Sequence, residues 1–250
     1  MCQTIAAQYK HRIIFLCLVV AMLVAMLPLG ALAQAPAPSG PAGTLTSATG
    51  TVTVQRGAST TAAGPGMTVN VGDRIVTGPG GHATIVLNDQ SKLDLSESSN
   101  LVIDSHTVAS PSSGASTRLS LFGGSLRSFV NASGGAPPNF EVHTPNAVAA
   151  ARGTSYDTSF SEGATRPTFG ECHRFTDVTV FDGVVAVTNP NATGASETRV
   201  PAGYESTVPC NLSPLAAGPI GVSGAGGNPG GFGGVPPPAC PVCPACSSPK

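Results

Sequence analysis

Three cysteines near the carboxyl end, Cys240, Cys243 and Cys246, recur with two residues between neighbours. Three thiolates at that spacing can hold a soft metal ion, with a fourth ligand from elsewhere completing a tetrahedron. Here they alternate with prolines in a segment that offers little to bury, so disulfides or links between chains fit better than a metal centre. An iron–sulfur cluster would lack its fourth cysteine. No metal or cofactor is expected. His82, His106, His143 and His173 show no paired ligand spacing, and carboxylates such as Asp157 and Glu162 are too dispersed to form an acid–base pair. No Gly-x-Ser-x-Gly elbow, phosphate-binding loop or Glu-flanked histidine pair occurs. The chain is therefore expected to be non-enzymatic, with a thiol- or metal-handling tail as the alternative.

Two further cysteines, Cys172 and Cys210, flank the last predicted strands and are candidates for a disulfide. Pairing with the tail and free thiols remain the alternatives. Arg152 ends an Ala-rich segment and is followed by Gly153 and Thr154. Its guanidinium is expected to satisfy backbone carbonyls at a strand end, while the two residues after it shape the turn. The other reading makes it an exposed ligand or partner contact.

The elements that would position these residues begin after an export signal. Lys10 and Arg12 precede an apolar run from Ile13 to Leu29, and Ala31-Leu32-Ala33 offers a cleavage site. A retained anchor is the alternative, since the run approaches spanning length; Pro28, Gly30 and the small residues favour cleavage. Residues 1–33 are read as the signal and 34–43 as an Ala/Pro/Gly linker. The mature chain then holds five cysteines, an odd number in an oxidising compartment. Basic and acidic residues number 12 and 13, Trp is absent, and no basic face is visible, which argues against nucleic acid as a partner.

From Gly50 onward, short segments alternate with period two. The clearest is the hairpin from Ala83–Leu87 to Lys92–Leu95, whose Ile85, Leu87, Leu93 and Leu95 share one face. Thr117–Phe122 and Leu126–Val130 read as separate strands joined by a Gly123-Gly124 turn. The Ala-rich run that ends in Arg152-Gly153-Thr154 reads as a strand packed closely on both faces. Asp182-Gly183 forms a hairpin turn between valine-rich strands. Glu162 to Arg174 reads as irregular. No helical period is sustained after the signal, so the fold class is all-β: one domain of short strands over residues 44–210, a twisted roll or solenoid, followed by a disordered Gly/Pro/Cys-rich tail over 211–250.

Several motifs in order carry a resemblance: Gly50–Val54, Val71-Gly72-Asp73-Arg74-Ile75-Val76-Thr77-Gly78, the Ala83–Leu87 hairpin, Phe140-x-Val142-x-Thr144-Pro145-Asn146-Ala147, Arg152-Gly153-Thr154, Asp182-Gly183 and Ala202-Gly203-Tyr204. Together they resemble the FecR domain family over roughly Leu45 to Val208. The resemblance implies an all-β domain outside the bacterial inner membrane, and gives Thr144, Pro145, Arg152, Gly153, Thr154, Asp182 and Gly183 the part of structural motif residues. In the best-known members the domain relays the state of an outer-membrane transporter to a cytoplasmic sigma factor. Here about a dozen residues precede the apolar run, so direct sigma-factor control is not expected. The expectation is a stand-alone exported domain, periplasmic or secreted, that binds an envelope protein or cell-surface component and touches the membrane only through an uncleaved leader.

Overall fold

The computed structural model describes residues 40–110, 113–132, 139–194 and 196–221. The expected leader, most of the linker and the Cys240/Cys243/Cys246 cluster lie outside these residues. Seventeen strands follow in order. The first eight are β1 (Pro41–Thr49), β2 (Val52–Arg56), β3 (Ser59–Ala62), β4 (Thr68–Asn70), β5 (Arg74–Thr77), β6 (His82–Leu87), β7 (Lys92–Leu95) and β8 (Asn100–Thr107). The long β9 (Ser116–Phe129) precedes β10 (Asn139–Thr144), β11 (Ala147–Ala151), β12 (Ser155–Glu162) and β13 (Arg174–Asp182). The last four are β14 (Val184–Thr188), β15 (Thr198–Pro201), β16 (Tyr204–Pro209) and β17 (Gly218–Pro219). Among the described residues one short 3-10 turn, Pro167–Phe169, is the only helical element.

The strands form two arrays joined by one shared member. Sheet I runs β4-β1-β6-β7-β9-β12-β13-β16-β17, and sheet II runs β3-β2-β5-β8-β9-β10-β11-β14-β15. The chain shuttles between sheets while advancing along both, which is the roll-like order expected of the sequence. Every pairing is antiparallel except β9 with β10. Side chains alternate across each strand, and the inner sets of both sheets meet in one apolar cluster. Leu45, Ile85, Leu93, Leu126 and Val178 enter it from sheet I, and Ile75, Leu101, Leu119, Phe140 and Val185 from sheet II. Each is fully buried, and each such side chain contributes about 1.5–3 kcal/mol by leaving water. The hairpin of β6 and β7 pairs Ile85 with Leu93 and Ala83 with Leu95, as the alternation predicts.

Four expectations are corrected. Thr117–Phe122 and Leu126–Val130 are not two strands around a turn. They are one 14-residue strand, β9. Its first half pairs with β8 and β10 in sheet II, and its second half with β7 and β12 in sheet I. The diglycine is the crossing point: Gly124 has φ +79°, and a Cβ there would sit 2.5 Å from Ser99 Cα. Only glycine fits. The Ala-rich β11 is closed on one face alone: Ala147, Ala149 and Ala151 are buried, while Val148 and Ala150 are half-exposed on the outer side. The expected linker ends early, because β1 begins at Pro41 and buries Ala42 and Leu45. The expected tail starts late. Beyond Cys210 the chain folds back on β16, where Leu215 N–H donates to Thr207 O (2.9 Å) and Ser206 Oγ to Leu215 O (2.8 Å).

Candidate functional site

Two arrays of strands leave four terminal strands, and these differ in how they present their backbone. β4 has three residues and β17 two, too short for much pairing. β15 ends in Pro201, which lacks an N–H. β3 is different. Its four residues, Ser59-Thr60-Thr61-Ala62, are all exposed, contain neither proline nor charge, and pair only with β2 among the described residues. The Gly57–Ala58 turn has two residues, and Arg56 stands opposite Ser59. In such a hairpin, residues alternate between bonding the partner strand and facing away. Thr60 and Ala62 therefore direct their N–H groups outward, away from β2.

The hairpin is fixed at its turn end by an ion pair. Arg56 donates from Nε and Nη2 to the buried Asp73 carboxylate (2.8 and 2.6 Å), and from Nη2 to Thr68 O (3.1 Å). Asp73 also accepts the Asn70 N–H (2.8 Å). The hydrogen bond to Asp73 raises the Arg56 pKa above its ordinary value, so the guanidinium stays charged. A two-point carboxylate grip orients the root of β3. Sequence reasoning missed this pair because the partners are 17 residues apart.

The motif residues occupy opposite ends of β11 and β13. At one end, Thr144 Oγ1 accepts the Ala147 N–H (2.9 Å), and the Thr144 and Thr176 hydroxyls meet at 2.7 Å. Thr176 Oγ1 donates to Asn146 Oδ1 (2.6 Å), and Asn146 Nδ2 donates to Val208 O (2.8 Å). Pro145 O accepts from Asn191 Nδ2 (2.9 Å). Asn189, also fully buried, donates to Cys210 O and Leu212 O (2.9 and 2.7 Å). These amides tie a turn of sheet II to the strands of sheet I, a part the sequence reading did not give them. The nearby Cys172 and Cys210 sulfurs lie at disulfide distance, with Cα atoms 5.8 Å apart.

At the other end, Gly153 and Gly183 both have positive φ. A Cβ on Gly183 would meet Thr154 Cγ2 at 2.7 Å, so the Asp182-Gly183 turn packs directly on Thr154. Thr154 O accepts the Val130 N–H (2.8 Å). Arg152 departs from expectation. Its side chain is exposed and, among the described residues, makes no hydrogen bond or ion pair, so no strand-end carbonyl there is capped by it. The carbonyls it would have met are taken up by strand pairing through Ala151, opposite Phe140 and Val185.

The polar side chains on the outer face of sheet I are held by one another. Asp157 accepts from Arg127 Nε and Nη2 (2.7 and 2.8 Å), with the guanidinium 4.5 Å above the Phe181 ring. Burial raises the Asp157 pKa, and the hydrogen bond from Arg127 opposes that rise. Farther along, the segment between β12 and β13 folds over the sheet. Arg166 grips Asp177 through both terminal nitrogens and lies 4.3 Å from the Phe175 ring, which Phe169 also covers. A carboxylate held at two points is not free to move protons. Of the histidines, His106 bonds Thr117 Oγ1 (3.0 Å), and its buried Nε2 has no partner among the described residues; burial lowers its pKa below the usual 6.5, against the pull of Asp89. His143 pairs with Glu141 (2.8 Å) and, with Asn139 and Arg118, keeps that carboxyl below its ordinary range. No group of three His, Cys, Asp or Glu among the described residues is placed to hold a metal ion.

Residues 73–186 match the family described as FecR protein. No curated protein matches. Two crystal structures of a "putative anti-sigma factor" from Parabacteroides distasonis ATCC 8503, at 1.65 and 2.50 Å resolution, are similar to the chain. Identity is 18% and 20%, and the TM-score is 0.43 in both. The match covers 58% of this chain and 59% of the length of those proteins.

Proposed function

With residues 73–186 a FecR domain, we propose that the chain is an exported, non-enzymatic β module that binds a protein or surface component of the bacterial envelope as a scaffold or sensor. The observation that carries this reading is the open edge of β3. Unpaired N–H and C=O groups in an extended strand accept a further strand from a partner, and side-chain pockets then select it. Natural sheets block such edges with charge, proline or shortness. β4, β15 and β17 are blocked in those ways and β3 is not. β3 also lies before residue 73, outside the stretch matched to the family.

Export to the periplasm or beyond is supported by the leader read in residues 1–33 and by two sulfurs at bonding distance, since disulfides persist in oxidising compartments. The non-enzymatic reading is supported by the two-point ion pairs that immobilise Asp157 and Asp177.

Replacing Thr60 by proline tests the reading. It removes an outward N–H without touching the ladder to β2, so the far-ultraviolet circular dichroism stays unchanged while co-purification of envelope partners is lost. Removing residues 239–250 leaves that co-purification intact. If the truncation abolishes it and Thr60→Pro does not, the cysteine tail is the working part and the β-edge reading fails.

A further inference from the structure

Between β12 and β13 the chain leaves sheet I, and residues 163–173 form a strap over its outer face. Within residues 162–171 Arg166 is buried, Phe169 is half-buried and the rest are exposed. Among the described residues the strap's backbone makes no hydrogen bond to the sheet beneath it. Gly163 N–H bonds His173 O (2.8 Å) across its neck, and Phe169 N–H to Arg166 O (2.9 Å) and Cys172 N–H to Phe169 O (3.1 Å) stay within it. The Arg166 side chain holds it down, with the Cys172–Cys210 pair at its far end. That side chain lies in a formed seat. Asp177 takes both terminal nitrogens (2.8 and 2.5 Å), Thr207 Oγ1 donates to the same carboxylate (2.6 Å), and the Phe175 ring lies 4.3 Å away. Asp177 and Thr207 stand opposite one another in the β13–β16 ladder, so strand pairing keeps the seat in shape.

We propose that this seat is a docking site for an arginine side chain of a partner protein, and that the strap closes it by supplying its own. The occupant shows the chemistry required. A guanidinium offers parallel N–H donors to both carboxylate oxygens and a flat face to the ring, which an ammonium does not. It also shows the backbone required, since Arg166 is extended (φ −120°, ψ 123°) and precedes Pro167. An extended Arg-Pro segment of a partner reproduces both. The strap lifts without breaking strand pairing: Gly163 and Gly170 bracket Arg166 and Phe169 at φ +86° and +53°, with no atom within 4 Å of an added Cβ, so both have room to turn. The tethered Arg166 competes at an effective concentration on the order of millimolar, so a partner brings contacts beyond the one side chain. The seat lies on sheet I, apart from the β3 edge of sheet II, and does not depend on it.

The test follows the amide resonances of Asp177 and Thr207 in the full mature chain. Arg166→Ala opens the seat, and titration with N-acetyl-arginine methylamide is expected to give saturable shifts. The lysine counterpart binds about tenfold more weakly and the norleucine counterpart gives no shift. A capped peptide with the sequence of residues 164–169 is then added to the parent protein and to the variant. It shifts the same amides in both, about tenfold more weakly in the parent protein because Arg166 competes. Far-ultraviolet circular dichroism checks the fold of Arg166→Ala; should it unfold, Arg166→Lys, which keeps the charge and loses the two-point grip, carries the same comparison. Equal shifts with norleucine, no shift in a folded variant, or saturation in the variant with no response in the parent protein would each overturn the proposal, the last by showing that Arg166 is a fixed seal.

Discussion

Gly124→Ala is expected to destabilise the protein by about 3 kcal/mol or more, seen as a large fall in the urea midpoint. Two independent costs add. An alanine at φ +79° pays about 1–2 kcal/mol for the left-handed conformation. Its Cβ would also sit 2.5 Å from Ser99 Cα, and forcing atoms into a filled space costs about 1–3 kcal/mol. Ser99 cannot withdraw cheaply, since its Oγ accepts the Ser125 N–H (3.0 Å) and its carbonyl accepts the Thr77 N–H (2.9 Å). Gly57→Ala is the control: it also has positive φ but meets no atom within 4 Å, so it carries the conformational cost alone. If the two variants unfold at the same urea concentration, β9 does not make a close crossing at the diglycine.

Reduction of the Cys172–Cys210 pair is expected to cost about 4 kcal/mol by the loop-entropy relation, for a separation of 38 residues. The loss has a structural focus. The segment between β12 and β13, which runs into Cys172, carries Arg166 and Phe169, and these cover the Phe175 ring on the outer face of sheet I. Freed at one end, that cover loosens and the ring meets water. Urea unfolding with and without dithiothreitol measures the effect, and the double Cys172→Ser, Cys210→Ser variant should match the reduced protein and ignore reductant. Identical midpoints for oxidised and reduced protein would show that the two sulfurs are not bonded.

Local pattern made parts of this architecture legible. The β6–β7 hairpin could be read because four large aliphatics alternate with polar residues around a tight loop, and strand period is a local property. β1 was missed because Leu45 is its single large apolar residue, and its close approach to β6 depends on Gly43 rather than on a hydrophobic pattern. β3 has no apolar periodicity at all; it is a strand because the Gly57–Ala58 turn lays it against β2. Two adjacent glycines usually mark a turn, and in sequence the diglycine of β9 has the look of one. Only the pairing of each half of the strand with a different sheet shows otherwise.

The motif residues were legible as positions and not as interactions. Thr144 and Gly153 shape turns as their types suggest, whereas Asp182-Gly183 is not the expected hairpin turn: it carries the chain from β13 in sheet I to β14 in sheet II, and those two strands do not pair with each other. Asn146 bonds a carbonyl 62 residues away, and no neighbour in sequence signals that. Arg152 was assigned to strand-end carbonyls on residue type alone, but the pairing of β11 on both sides leaves none for it.

The measurement that bears most directly on the proposed role is photo-crosslinking in intact cells from β3. A photoreactive residue at Thr60 should capture one envelope component, while the same residue at Arg199, exposed on the proline-blocked β15, should capture none. Equal capture from both positions, or none from Thr60, would contradict docking at this edge.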